Sequence, residues 1–287
     1  TAIVVSAGIN RGIEWLTRWC VPILFLLLIV LAIWASTLSG SWEGYRTFLL
    51  RWEPSELYNP TTIRNAFTQA FFSIGTGIGA ILAYSSYLDR RNQLPKEAVA
   101  VVSMDTTVGL LAGLVTFPVV MSFGLKDVIS ESTVGTLFIA LPTGLAGLGF
   151  TGRIVAVCFF ALAFLAAITS SISLLEVPVS SIMDRFGWQR NNAVWCSTFV
   201  IFALGLPSAL NLQILGQVDA IFGGILLIFG GFLLAILMGW IVPGRFDTDL
   251  ASCESDPRMR RFLKFMLRWI SPPVVAFGLI VSLISLV

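Results

Sequence analysis

Seven long apolar runs dominate this sequence and leave it few ways to fold. They fall at about 19–38, 66–87, 98–123, 152–183, 193–211, 219–243 and 268–287. About 20 apolar residues in a helix cross the hydrocarbon core of a bilayer, and each run is long enough to do so. A β-barrel would show shorter segments of alternating polarity, whereas these runs are continuous. The expected fold class is an all-α polytopic membrane protein, with residues 1–287 forming one transmembrane domain. Charged residues make up only 12% of the chain, against about 25% in a soluble domain. That is too little polar surface to coat a water-soluble globule, and 56% hydrophobic residues exclude disorder. A net charge of only +2 argues against a nucleic-acid partner.

Histidine is absent, which removes any mechanism needing an imidazole base, shuttle or metal ligand. Cys20, Cys158, Cys196 and Cys253 are scattered without a C-x-x-C pair, so metal and disulfide frameworks lack support. The chain starts at Thr1 in an apolar context without a signal-peptide pattern, and it reads as a piece of a longer protein.

Lys and Arg set the orientation. Of 18 basic residues, 13 lie on the side of the N-terminal segment. They include Arg90, Arg91, Arg185, Arg190 and the group from Arg258 to Arg268. The expectation is a multi-pass protein of the inner (plasma) membrane, with the N-terminal end cytoplasmic and the C-terminal end outside.

Three features depart from plain spanning helices. Gly75, Gly77 and Gly79 interrupt the second run, each weakening a helix by roughly 1 kcal/mol relative to Ala. They fit either close helix packing or a discontinuous helix whose free ends face a cation and a carboxylate. Acids inside spans are costly and mark ion or substrate paths. Asp105 lies among Ser103, Thr106 and Thr107 and reads as functional, whereas Glu176 is expected to form a structural pair with an Arg or a backbone amide. Thr169, Ser170, Ser171 and Ser173 place four hydroxyls in one stretch of the fourth run. They suit either bonds back to carbonyls one turn earlier or coordination of a hard cation. Asp219 opens the sixth run, where an acid would complement the helix dipole.

Taken in order, these motifs resemble the neurotransmitter:sodium symporter family, in its bacterial amino-acid branch. The residues that carry the resemblance are Gly12-Ile13-Glu14 with Pro22, Gln69-Ala70-Phe71-Phe72-Ser73 through Tyr87, Leu111-Ala112-Gly113-Leu114, Thr169-Ser170-Ser171, and Asp219 ahead of a Gly-rich span. The resemblance covers essentially the whole chain. It implies a leucine-transporter-type inverted-repeat fold, present in part as family helices 5 to 11, with sites near the bilayer midplane. It also implies missing N-terminal helices of the same protein, which would complete the ion and substrate sites.

On this resemblance the second run is a helix broken near 75–79. Phe72 matches an aromatic lid over the substrate. Gly75, Ile78 and Leu174 match pocket walls, and Ser73 and Ser170 belong to both the substrate and the sodium environment. Ser73 and Asp105 match the first sodium site, where the family commonly has Asn in place of Asp105. A carboxylate there would supply the anion that relatives take from chloride, so transport is expected to be chloride-independent. Ala166 (through its carbonyl), Thr169 and Ser170 match the second sodium site. Asp219 matches an outer gate acid with Gln69 nearby, and Gly12 with Pro22 matches a helix end that unwinds on the inner side.

The implied function is a sodium-coupled symporter importing an amino acid or related small zwitterion by alternating access. Two sodium sites are expected, each only partly supplied by this chain, with no organic cofactor. No covalent chemistry is needed, so an enzyme is not expected. The rivals are a proton-coupled or other-solute transporter of the same fold, and a seven-span receptor. The receptor would place its N-terminus outside, against the charge count.

Overall fold

The apolar runs form helices because nothing else satisfies backbone N–H and C=O groups away from water. The structure is a computed structural model that describes residues 1–87, 94–125, 141–244, 246, 248 and 257–285. The principal helices are α1 (Trp15–Ser36), α2 (Pro60–Ile74), α3 (Ala80–Ser85), α4 (Leu94–Ser122), α5 (Gly149–Phe186), α6 (Arg190–Leu210), α7 (Leu212–Ile241) and α8 (Pro257–Ile284). No strand occurs among the described residues. Six helices are long and apolar enough to cross a membrane; the second apolar run is instead divided between α2 and α3. Arg90, Arg91, Lys126, Arg245 and Cys253 lie outside the described residues.

Several helix ends differ from the hydropathy boundaries. α7 begins two turns before Asp219, because Asn211 supplies the cap: its side-chain oxygen accepts from the Gln213 N–H at 2.8 Å. Asp219 therefore does not open the helix. It starts a π-helical stretch, Asp219–Ile225, within it. Further π turns occupy Leu237–Ile241 at the end of α7 and Met266–Ile270 inside α8. α2 is capped by Asn59, which accepts from the Thr61 N–H at 3.0 Å, with Pro60 at its first position.

The helices gather into two compact units. The first holds residues 3–52 and 106–172 with Thr1. Its core joins Leu31 and Ala35 of α1, Val115 and Val119 of α4, Leu145, and Val155 of α5. Leu31, Val119, Leu145 and Phe159 also line an apolar cavity of about 50 Å³. The short helix Ser41–Tyr45 packs closely on α4, since a Cβ at Gly44 would overlap the Pro118 backbone. The Gly40 N–H donates to Ser122 Oγ at 3.1 Å. Phe48 stacks on Phe117 at 4.8 Å, whereas Trp42 and Trp52 of the same loop stay exposed.

The second unit holds Ala2, residues 53–105 and residues 173–287. Here α2, α7 and α8 pack on one another, and rings fill spaces left by glycines: Phe71 lies against Gly231 and Phe67 against Gly278. α4 and α5 each contribute one end to each unit.

Candidate functional site

The backbone between α2 and α3 is where the second unit departs most from regular structure. α2 ends at Ile74 because Gly75 adopts φ +72°, and α3 starts after Gly79 at φ +87°. Both values lie in the left-handed region, which costs a residue with a Cβ about 1–2 kcal/mol. Between them, Gly77 lies directly against α7. A Cβ there would overlap the Leu227 carbonyl, and one on Gly230 would sit 2.6 Å from the Gly77 oxygen. The helix break and the close approach therefore need different glycines of one short stretch.

Ser73, in the last turn of α2, donates its hydroxyl to Asp105 Oδ2 of α4 at 3.0 Å. A carboxylate and a hydroxyl are thus brought together beside the interrupted backbone. Among the described residues no group of three His, Cys, Asp or Glu gathers that could hold a metal ion. Oxygen donors of the Ser73–Asp105 kind suit a hard cation better than a soft one.

A cavity of about 460 Å³ opens next to the break. Phe72, Gly77 and Ile78 form one side, and Leu215, Val218, Asp219, Phe222, Leu226 and Leu227 of α7 form the other. Its size and mainly apolar lining, with one carboxylate, fit a small organic ligand. The structure so brings Phe72, Ile78 and Asp219 to one cavity. Gly75 is buried as the cap of α2, while Gln69 and Leu174 are exposed and do not line the cavity. Phe222 and the α7 residues around it carry no motif. Their only sequence signal is Gly223-Gly224 after Asp219, where the π-helical stretch directs this face toward the cavity.

Ala166, Thr169 and Ser170 lie on the part of α5 that belongs to the first unit. Thr169 Oγ1 donates to the carbonyls of Leu165 (2.9 Å) and Ala166 (3.0 Å), and Ser171 Oγ donates to Ile168 at 2.9 Å. These hydroxyls bond back along their own helix, and two of the oxygens expected at one ion site, those of Ala166 and Thr169, are already adjacent. Gly12 falls in a π-helical turn, Ile9–Glu14, with no room for a Cβ beside the Val4 carbonyl. Pro22 lies exposed within α1.

Glu176 is fully buried and well supplied with donors. Arg190 reaches it through Nη2 and, at 3.1 Å, through Nη1, and the Tyr87 hydroxyl donates at 3.1 Å. The Tyr84 hydroxyl donates to Ser173 Oγ at 3.2 Å one turn away on α5. An acid in an apolar span predicts a structural partner; it does not predict the two tyrosines.

The family model of the sodium:neurotransmitter symporter family matches residues 1–287. The chain belongs to that family. Among its relatives, an uncharacterized sodium-dependent transporter of Bacillus subtilis, YhdH, is 37% identical over 76% of the chain and 47% of its own length. Another, from Methanocaldococcus jannaschii, is 30% identical over 96% of the chain and 57% of its own length. The chain thus spans about half the length of these curated relatives. The crystal structure of MhsT in complex with L-phenylalanine matches with a TM-score of 0.87 and 33% identity, over 98% of this chain and 65% of that one. With its apolar helices, the chain is a multi-pass membrane protein of leucine-transporter-type fold.

Proposed function

We propose that the chain carries the ion- and substrate-binding part of a sodium-coupled symporter that imports an amino acid or a related small zwitterion. The observation that carries this reading is the interrupted helix at Gly75–Gly79 with Ser73 hydrogen-bonded to Asp105 beside it. The Gly75 N–H closes on the Phe71 and Phe72 carbonyls; the carbonyls of Ser73 and Ile74 that follow and the first N–H groups of α3 lie at helix ends and bear partial charges of opposite sign. A cation is drawn to the first and the carboxylate of a zwitterion to the second. Sodium binds the Ser73 hydroxyl and the Asp105 carboxylate at the first site, and Ala166, Thr169 and Ser170 at the second. Substrate lies against Phe72 and Ile78 in the cavity beside the break. The sodium-dependent relatives and the L-phenylalanine complex of MhsT support this choice of ion and substrate class.

Asp105 gives the site a fixed negative charge, so chloride is not needed to balance the sodium ions and the substrate ammonium. Asp219 and Gln69 gate the outer side. Gly12 and Pro22 let the start of α1 loosen on the inner side, where the N-terminal end faces the cytoplasm of the plasma (inner) membrane.

The test is uptake of labelled amino acids by the full-length protein in proteoliposomes. Uptake is expected to vanish when choline replaces sodium and to persist when gluconate replaces chloride. Asp105→Asn is expected to lower uptake about tenfold or more in gluconate and to make the remainder respond to chloride. Loss of wild-type uptake in gluconate would remove the charge argument. Uptake driven by a proton gradient without sodium would favour the proton-coupled alternative.

A further inference from the structure

We propose that the N-terminal end of α8 and the end of α7 together hold the headgroup of an anionic phospholipid. α8 has 28 residues, about 42 Å at 1.5 Å per residue, against a hydrocarbon core of about 30 Å. From Trp269 onward it carries no charge, so its charged first turns project beyond the core.

The level of the boundary is fixed by contacts. Trp240, near the end of α7, donates its indole N–H to the Arg268 carbonyl at 3.1 Å. The Trp240 and Trp269 rings meet edge to face at 5.4 Å, and the Arg268 guanidinium lies 5.0 Å over the Trp240 ring. Tryptophan favours the headgroup level, and Arg at a helix end keeps its stem in apolar surroundings and its charge toward water. The Arg268 Nε is buried with no hydrogen-bond partner, and among the described residues no carboxylate pairs with Arg268 or Arg261.

The turns beyond Arg268 are two-faced. Arg261, Lys264 and Arg268 follow helical spacing down one side, while Met259, Phe262 and Met266 follow it down another. Met259, Phe262 and Trp269 are exposed. An apolar face beside a basic one at the membrane boundary matches a surface that is apolar below and anionic above. The chemistry of the occupant follows. A phosphodiester meets the basic side chains, its acyl chains lie along the exposed apolar side chains, and no ammonium in the headgroup repels the arginines.

The experiment is native mass spectrometry of the full-length protein with phosphatidylglycerol or phosphatidylcholine. Tighter retention of phosphatidylglycerol is expected. Arg261→Gln with Arg268→Gln is expected to lower its affinity about 25-fold, near fivefold per charge, with phosphatidylcholine binding unchanged. Arg261→Lys with Arg268→Lys is expected to keep the preference, which separates loss of charge from loss of fold. Inorganic phosphate is expected not to displace the lipid. Equal retention of the two lipids by the wild type would overturn the proposal, as would displacement by phosphate. An equal loss on Arg46→Gln with Arg51→Gln, far along the sequence, would also overturn it.

Discussion

At the scale of single residues, the most constrained side chain is Glu176. It is fully buried and holds three donor contacts from Arg190 and Tyr87. Removing one partner of a buried ion pair leaves the other charge uncompensated, at a cost of about 3–5 kcal/mol. Glu176→Gln is therefore expected to lower the unfolding temperature in detergent far more than Tyr87→Phe, which removes one hydrogen bond worth about 1 kcal/mol. Arg190 is 19% exposed, so water offsets part of the loss and the lower end of the range applies. An Arg190→Met companion is expected to recover part of the Glu176→Gln deficit, measured as a double-mutant cycle. A structural partner was legible in the sequence because an acid in an apolar helix demands compensation; that it is Arg190 and not a backbone amide comes from the structure. Tyr87 was not, since it comes from 89 residues away and its own neighbours say nothing of Glu176.

At the scale of elements, the interrupted helix divides two tasks between glycines. Gly75 and Gly79 supply the backbone geometry, while Gly77 supplies the space against Leu227. Gly75→Ala is expected to strain the cap of α2 by about 1–2 kcal/mol, giving a lower but measurable sodium-dependent affinity for substrate. Gly77→Ala must push α2–α3 and α7 apart, and over-packing of this kind costs about 1–3 kcal/mol. It is expected to abolish sodium-dependent binding in an equilibrium assay with labelled substrate. An unchanged affinity would mean that the two segments separate freely. Composition alone leaves packing, through a Gly75–Gly79 small-residue pair, and breakage as equal readings; the structure breaks the helix at that pair and puts the close packing at Gly77 instead. The π-helical stretch Asp219–Ile225 has no such signal. Beyond Asp219 it adds no polar residue and breaks no apolar run, so Phe222 and Leu226 could not be placed at the cavity from hydropathy, and the hydropathy boundary puts the start of α7 too late.

At the scale of the whole molecule, the fold class was legible because the bilayer allows so few solutions to seven apolar runs. The division into two compact units was not, since α4 and α5 each run through it without any change in composition. Orientation is a reading of charge and is open to direct measurement. With the native cysteines removed, Lys264→Cys is expected to react with an impermeant maleimide only in inverted vesicles, and Arg51→Cys only in right-side-out ones. The Glu176–Arg190 pair also bears on how the chain is made. The two residues stand 14 apart, on consecutive helices. A lone charge inside a spanning helix opposes insertion, by up to about 3 kcal/mol at the helix centre, so α5 arriving at the translocation machinery alone would be held back until α6 brought the matching guanidinium. The two helices are then expected to enter lipid as one hairpin. In a glycosylation-mapped insertion assay, α5 followed by α6 should integrate more completely than α5 alone, and Arg190→Gln should erase the difference.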